Sequence, residues 1–232
     1  MKHIFFVICL FTLFCSNENM VIFPIPNTQT YNLKGNVEHI IEKSQLIHLD
    51  THLNYTIDTT HYNGLTKYYY FNPLLELDSI LMAKMDTVFF GKVVYFKNKK
   101  TNQNYSTYYS MKGIKQLDTK ISKFKNNILY SKNFAPKLGY HSKTEEKWEN
   151  SKIVWSKWQS TLSSSYYEQV FEFDSNGYET IIKTRNHKND AYTIHKVIYL
   201  EWDSLGNWTK RIEYNESDWT GKLVTKKIIY RK

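Results

Sequence analysis

The chain has 232 residues, a formal charge of +9, 41% hydrophobic residues and 16% aromatic ones. Its length allows one domain with a sizeable core, and its two cysteines, Cys9 and Cys15, leave the body without an internal disulfide. The P-loop, G-x-G-x-x-G, G-x-S-x-G and H-E-x-x-H patterns are all absent, so the better-defined nucleotide, hydrolase and zinc-protease chemistries lack their residues.

Lys2 and His3 precede an apolar run from Ile4 to Phe14 that stops at Cys15-Ser16-Asn17-Glu18. The run is too short to cross a bilayer, which takes about 20 residues. A positive start before a short apolar stretch is a secretory signal pattern, so residues 1–15 are expected to be a signal peptide. Cys15 is the candidate lipidation site of a lipoprotein, although Thr12, Leu13 and Phe14 depart from the small residues usual before such a cysteine. Residues 16–30, with Pro24 and Pro26, read as a leader or tether, and 31–232 as a single β-rich domain. The expected location is the cell envelope, as an outer-membrane lipoprotein or periplasmic protein, or outside the cell as a secreted one.

In chain order, Val37 to Ser44 fits a helix face or a strand, and the Gly35-Asn36 turn before it favours the strand. Asn63-Gly64 is a strong hairpin signal ahead of Tyr68-Tyr69-Tyr70-Phe71. Val88 to Phe96 reads as a strand with a bulge at Gly91, returning through a polar loop into Tyr105 to Tyr109. In 112–137, Ile114, Leu117 and Ile121 suit a short helix as well as a strand, so one short helix near 112–125 stays open. After the turn at Asn150-Ser151 come two similar turns, Phe173-Asp174-Ser175-Asn176-Gly177-Tyr178 and Trp202-Asp203-Ser204-Leu205-Gly206-Asn207. In each, Asp can accept backbone N–H groups ahead of it while Gly takes the positive φ of a tight hairpin.

The offset between these units is 29 through the turn and becomes 30 afterwards, where Ile182 matches Ile212. A one-residue slip would turn every core side chain outward, so a bulge or longer loop is expected near Asn207. The fold expected from all this is mainly β, an antiparallel meander of consecutive β-hairpins forming an extended or curled sheet.

The two Asp-Ser turns resemble those of the YD-repeat (Rhs-like) family of exported bacterial β-hairpin proteins, in which an aromatic-Asp pair, a polar stretch and Gly close each hairpin. Leu33-Lys34-Gly35-Asn36-Val37 is similar to the opening of lipoproteins carrying degenerate repeats, and Leu77-Asp78-Ser79-Ile80 to a worn copy without Gly. Phe173 and Trp202 stand where the family has Tyr, the spacing is longer, and good copies cover only about 166–215. The resemblance implies a β-hairpin strip in the cell envelope, with carbohydrate binding as a class-level expectation and no catalytic activity.

Ten lysines lie between Lys92 and Lys132 against one acid, Asp118, so this segment is a candidate for an anionic surface such as acidic polysaccharide or lipid. Arginine occurs only at 185, 211 and 231, which speaks against nucleic acid as a partner. His48, Asp50 and His52 would share a strand face with His61 beyond. Alternate strand residues sit about 7 Å apart, wide for one ion, and no metal or cofactor is expected. Glu145, Glu146 and Glu149, or Glu172 with Glu201, could be drawn as acid pairs, but the last two occupy equivalent repeat positions. No catalytic residue is therefore assigned. Trp148, Trp155, Trp158 and Trp208 are the candidate ligand-binding residues, a stacking platform for sugars if exposed and core if not. The expected function is a noncatalytic envelope protein binding a polysaccharide or a protein partner through its sheet surface. A structural or assembly lipoprotein and a secreted hydrolase are the alternatives.

Overall fold

The computed structural model describes residues 27–59, 64–84, 88–98, 103–110, 112–135 and 139–232. The expected signal peptide, Cys15, most of the leader, and Asn63 of the Asn-Gly turn lie outside them. The strands are β1 (Val37–Leu49), β2 (Tyr55–Ile57), β3 (Leu65–Phe71), β4 (Leu77–Lys84), β5 (Val88–Asn98), β6 (Gln103–Ser110), β7 (Lys115–Lys125) and β8 (Ile128–Ala135). They continue as β9 (Gly139–Glu149), β10 (Lys152–Ser160), β11 (Tyr166–Phe173), β12 (Glu179–Arg185), β13 (Thr193–Trp202), β14 (Trp208–Asn215) and β15 (Thr220–Tyr230). The expected strand at Val37–Ser44 is the core of β1. The short helix considered near 112–125 is instead β7, a β-strand hydrogen-bonded on both sides, to β6 and β8.

Every strand pairs antiparallel with its neighbours, as a meander should, but the sheet is neither open nor merely curled. β15 pairs with β1 from Val37↔Tyr230 to His48↔Thr220, so the two ends of the meander join. With β2 attached to β1 alone, the result is a closed barrel of 14 strands. Closure removes the edge strands that an open sheet would expose to aggregation. The meander was readable from hairpin signals; its closure was not, because it depends on two strands at opposite ends of the chain.

Closure also divides each strand into an inward and an outward set. The inward set is identified by interactions across the barrel: Tyr95 on β5 is held at a pKa of about 12, first by burial and then by the charge of Glu146 on β9. Strands four apart in a sheet meet this way only through the lumen. The lumen is filled by polar as well as apolar side chains. In one layer Thr119 Oγ1 donates to Asn133 Oδ1 at 2.7 Å, Asn133 Nδ2 to Ser142 Oγ at 2.9 Å, and Trp158 Nε1 to Ser142 Oγ at 3.0 Å. The network leaves these buried groups satisfied, as burial demands.

The outward face from β9 to β14 carries ion pairs, at mid-strand on β9 and β10 and nearer the strand ends on β11 to β14. Glu145 pairs with Lys157 at 3.2 Å and Lys143 at 3.6 Å, Arg185 with Glu168 at 2.5 Å, and Lys210 with Glu201 at 2.9 Å. Glu172, the repeat counterpart of Glu201, pairs with Lys183. These acids thus serve cross-strand ion pairs.

Five connections share one turn geometry. At Asp50–Asn54, Asn72–Glu76, Ser110–Ile114, Asp174–Tyr178 and Asp203–Asn207 the first N–H donates to the fifth C=O and the fourth N–H to the first C=O. The fourth residue has positive φ: Leu53 63°, Leu75 62°, Gly113 70°, Gly177 81° and Gly206 75°. In four of them the first side chain accepts the N–H groups two and four residues ahead. The turns at Asn126-Asn127 and Asn150-Ser151 place both central residues at positive φ, matching the twist of their hairpins.

The two Asp-Ser turns are therefore equal in length, and the extra residue is not in the second turn. In hydrogen-bond terms the offset stays 29, since Phe173↔Glu179 and Trp202↔Trp208 close equivalent hairpins, with Thr180 and Thr209 each left as a bulge. An additional bulge at Leu200 lies before the second turn. Ile182 is consequently equivalent to Arg211, both facing the lumen, while Ile212 packs outside with Ile47, Leu49, Tyr214 and Leu223. The expected bulge at Gly91 is displaced by one residue, to Phe90. Gly91 itself is needed because the ring of Tyr108 covers its Cα, and a Cβ there would sit 2.3 Å from that ring.

Candidate functional site

One end of the barrel is closed by the segment before β1. Thr28 N donates to Leu75 O at 3.1 Å, Asn32 Nδ2 to Gly177 O at 3.4 Å, and Lys34 N to Asn207 Oδ1 at 2.6 Å. This strap dips Tyr31 toward the lumen, where its ring meets Tyr69 at 5.4 Å and Phe71 at 6.0 Å, both edge-on. Burial pushes the phenols of Tyr31 and Tyr69 well up, with nearby carboxylates and phenols adding to it.

Beneath the strap lies a cavity of about 200 Å³. Its aromatic walls are Tyr31, Tyr69, Phe173, Tyr178, Tyr199 and Trp208. Between them stand Glu42, Glu179, Lys152, Arg211 and Lys226. The register explains this gathering: Glu42 faces Lys226 across β1–β15 and Lys67 across β1–β3, and Arg211 faces Tyr199 across β13–β14. Trp208, brought to the lumen by the bulge at Thr209, lies 3.6 Å under Lys226 Nζ, and Arg211 stands 4.5 Å from its ring centre.

The charges are closely coupled. Glu42 accepts from Tyr69 OH at 3.1 Å and lies 3.7 Å from Lys226. Burial alone would raise its carboxyl, but Lys226, Lys67 and Arg211 together hold it below the ordinary value. For Lys226 the balance goes the other way: burial outweighs Glu42 and lowers the ammonium to about 8. Arg211 spends Nη1 on Glu179 at 2.6 Å and Nη2 on Glu213 at 2.5 Å. Its Nε is buried and, among the described residues, has no partner. A buried donor left unpaired costs about 1–3 kcal/mol, which an acceptor placed beside Arg211 Nε would recover.

The four tryptophans singled out by sequence do not form one exposed platform. Trp208 is buried in this cavity, and Trp148 is buried with Nε1 donating to Glu146 at 3.3 Å. Trp158 faces the lumen on Ser142, and Trp155 is on the outer face, donating to Glu168 at 2.6 Å under Lys157. Alternation along strands separated them, since Trp155 and Trp158 differ in parity. Trp202, not selected, is the half-exposed one, packed on Tyr178 at 4.8 Å and Tyr199 at 5.4 Å. Arg211, Glu42 and Lys226 were missed because a mid-strand charge looks the same in sequence whether it faces water or lumen.

Asp50 caps its own turn through His52 N and Asn54 N, and His48 stands 3.7 Å from Asp58. His61 lies outside the described residues. Of the lysine-rich segment, Lys112 sits in a loop at the end opposite the strap and Lys125 at the strap end, while Lys115 is bound to Asp118 at 2.5 Å. No family model matches the chain, and no curated protein matches it. Among solved structures, a porin-like protein from Bacteroides uniformis ATCC 8492 is similar, with a TM-score of 0.48 and 9% identity, covering 83% of this chain and 98% of that one.

Proposed function

We propose that this chain is a noncatalytic, exported β-barrel that holds a single sugar ring, such as the end unit of a polysaccharide, in the strap-end cavity. The observation that carries the reading is the buried Nε of Arg211, without a partner among the described residues, in a guanidinium that lies over the Trp208 ring. Sugars are held by stacking on aromatic faces and by planar charged groups that both donate and accept, and the cavity supplies Trp208, Tyr199, Arg211, Glu179 and Glu42. At about 200 Å³ it is smaller than the usual 300–1,000 Å³ of drug-sized ligand sites, which favours one ring over a longer segment.

Two observations favour a noncatalytic role. A glycosidase needs one carboxyl kept protonated near neutral pH, whereas Glu42 is shifted downward by its cations. Glu146, the carboxyl that burial does push up, does not line the cavity. The ion pair of Glu145 with Lys157, at mid-strand on the outer face of β9 and β10, favours a barrel bathed in water over one embedded in lipid, which requires a continuous apolar band. The signal-like start and the family-like turns support export to the envelope.

Calorimetric and fluorescence titration with a panel of monosaccharides and short oligosaccharides tests the reading. Binding by at least one sugar, lost in Trp208→Ala and retained in Trp155→Ala, is the expected result. Sugar binding that follows Trp155 would return the site to the outer sheet surface, and no binding at millimolar sugar would end the proposal.

A further inference from the structure

Toward the end opposite the strap lies a second chamber of about 440 Å³. Leu46, Ile182 and the ring of Tyr167 give it apolar walls; His195, Lys222 and Glu213 stand together on another part of its lining. Their placement follows from register: Glu213 faces Lys222 across β14–β15, and His195 lies two residues from Val197, which faces Glu213 across β13–β14. The acids of the chamber are already engaged, Glu213 by Arg211 at 2.5 Å and Asp58 beside His48 at 3.7 Å. Lys222 and His195, by contrast, have no hydrogen-bond or ion-pair partner among the described residues. They are close enough that the Lys222 charge, after burial, helps depress His195, with Glu213 and Asp218 opposing.

An apolar chamber with two uncommitted nitrogen donors at one wall has the chemistry of an amphipathic anion site. We propose that the chamber opposite the strap binds a free carboxylate with an aliphatic body, of the medium-chain fatty acid class. Its head lies on Lys222 and His195, and its chain lies against Leu46, Ile182 and Tyr167. A purely polar ligand would leave those walls wetted, and a neutral amphiphile would forgo the charge-assisted bond that Lys222 offers a carboxylate. The site shares no lining residue with the strap-end cavity, and the Arg211–Glu213 pair links the two linings.

Calorimetry with octanoate, and with 1-octanol as the uncharged control, tests this on the full chain. Octanoate is expected to bind, to weaken by about tenfold or more in Lys222→Ala, and to be unchanged in Trp208→Ala, while octanol binds more weakly than octanoate. Lys222 is exposed, and an unaltered circular-dichroism spectrum and melting temperature identify its variant as folded. Octanol binding as tightly as octanoate, equal octanoate affinity in Lys222→Ala, or no heat at millimolar octanoate each overturns the proposal. Loss of sugar binding alone leaves it standing.

Discussion

Asn207 grips the backbone of Lys34 at both ends of its side-chain amide, with Oδ1 accepting from Lys34 N at 2.6 Å and Nδ2 donating to Lys34 O at 3.0 Å. The pair joins residues 173 positions apart and fastens the strap to the second Asp-Ser turn. Asn207 is almost wholly buried and also reaches Tyr230 OH at 2.7 Å, so its removal strips several hydrogen bonds from a buried site. Asn207→Ala should cost about 2–3 kcal/mol and speed hydrogen exchange at residues 28–35 before it affects β8–β10. Exchange mass spectrometry would show it, and uniform deprotection of the whole barrel would contradict a local fastening role.

Leu53 and Leu75 hold the left-handed position that Gly113, Gly177 and Gly206 fill elsewhere. A side chain at positive φ costs about 1–2 kcal/mol, partly offset by the flexibility that glycine adds to the unfolded chain. Leu53→Gly should therefore stabilise by about 0.5–1 kcal/mol, and Gly206→Ala should destabilise by about 1 kcal/mol. Denaturant melts with unchanged slope are the measurement.

Glu42 and Lys226 face each other in the lumen, both little exposed. Removing one partner strands the other, so Glu42→Gln and Lys226→Met should each cost about 3 kcal/mol. The double change Glu42→Leu with Lys226→Met should recover most of the loss. Additive losses in this cycle would show that the two groups are not coupled.

Stability should also depend on pH above neutrality. Because the folded Lys226 titrates near 8 while its ordinary value is 10.5, the unfolded chain holds more protons between those values. Stability therefore rises as pH climbs from about 8 toward 10, by on the order of 2 kcal/mol. Tyr95 and Tyr199, pushed up to about 12 mainly by burial, act oppositely above 10, where the unfolded phenols release protons first. Urea melts across pH 7–11 should show a maximum near 10, and the rising limb should vanish in Lys226→Met.

Since Glu145 and Lys157 pair at mid-strand on the outer face, the purified chain mixed with phospholipid vesicles should remain in the aqueous phase on flotation. It should also leave entrapped dye unreleased. Quantitative flotation with the vesicles would show that the outer face tolerates lipid.

The chain's alternation and turn residues determined its strands, its antiparallel order and the two Asp-Ser hairpins. Those signals are local: a Gly at positive φ or an Asp bonding its own turn needs no distant partner. Even so, three of the five equivalent turns escaped notice, because Leu53 and Leu75 adopt a conformation that sequence assigns to glycine and Ser110 lacks the Asp cue. The helix reading of 112–125 failed for a related reason, since three apolar residues at ambiguous spacing are settled only by the strands that pair on either side.

Only the tertiary structure decided which face is inside. Pairing of Val37 with Tyr230 closes the sheet, and closure turns Glu42, Arg211, Lys226 and Trp208 into the lining of a cavity while sending Trp155 and Ile212 outward. Period-two patterning marks two faces but carries no sign for lumen or solvent when both are mixed in polarity. That choice is made by hydrogen bonds between opposite ends of the chain.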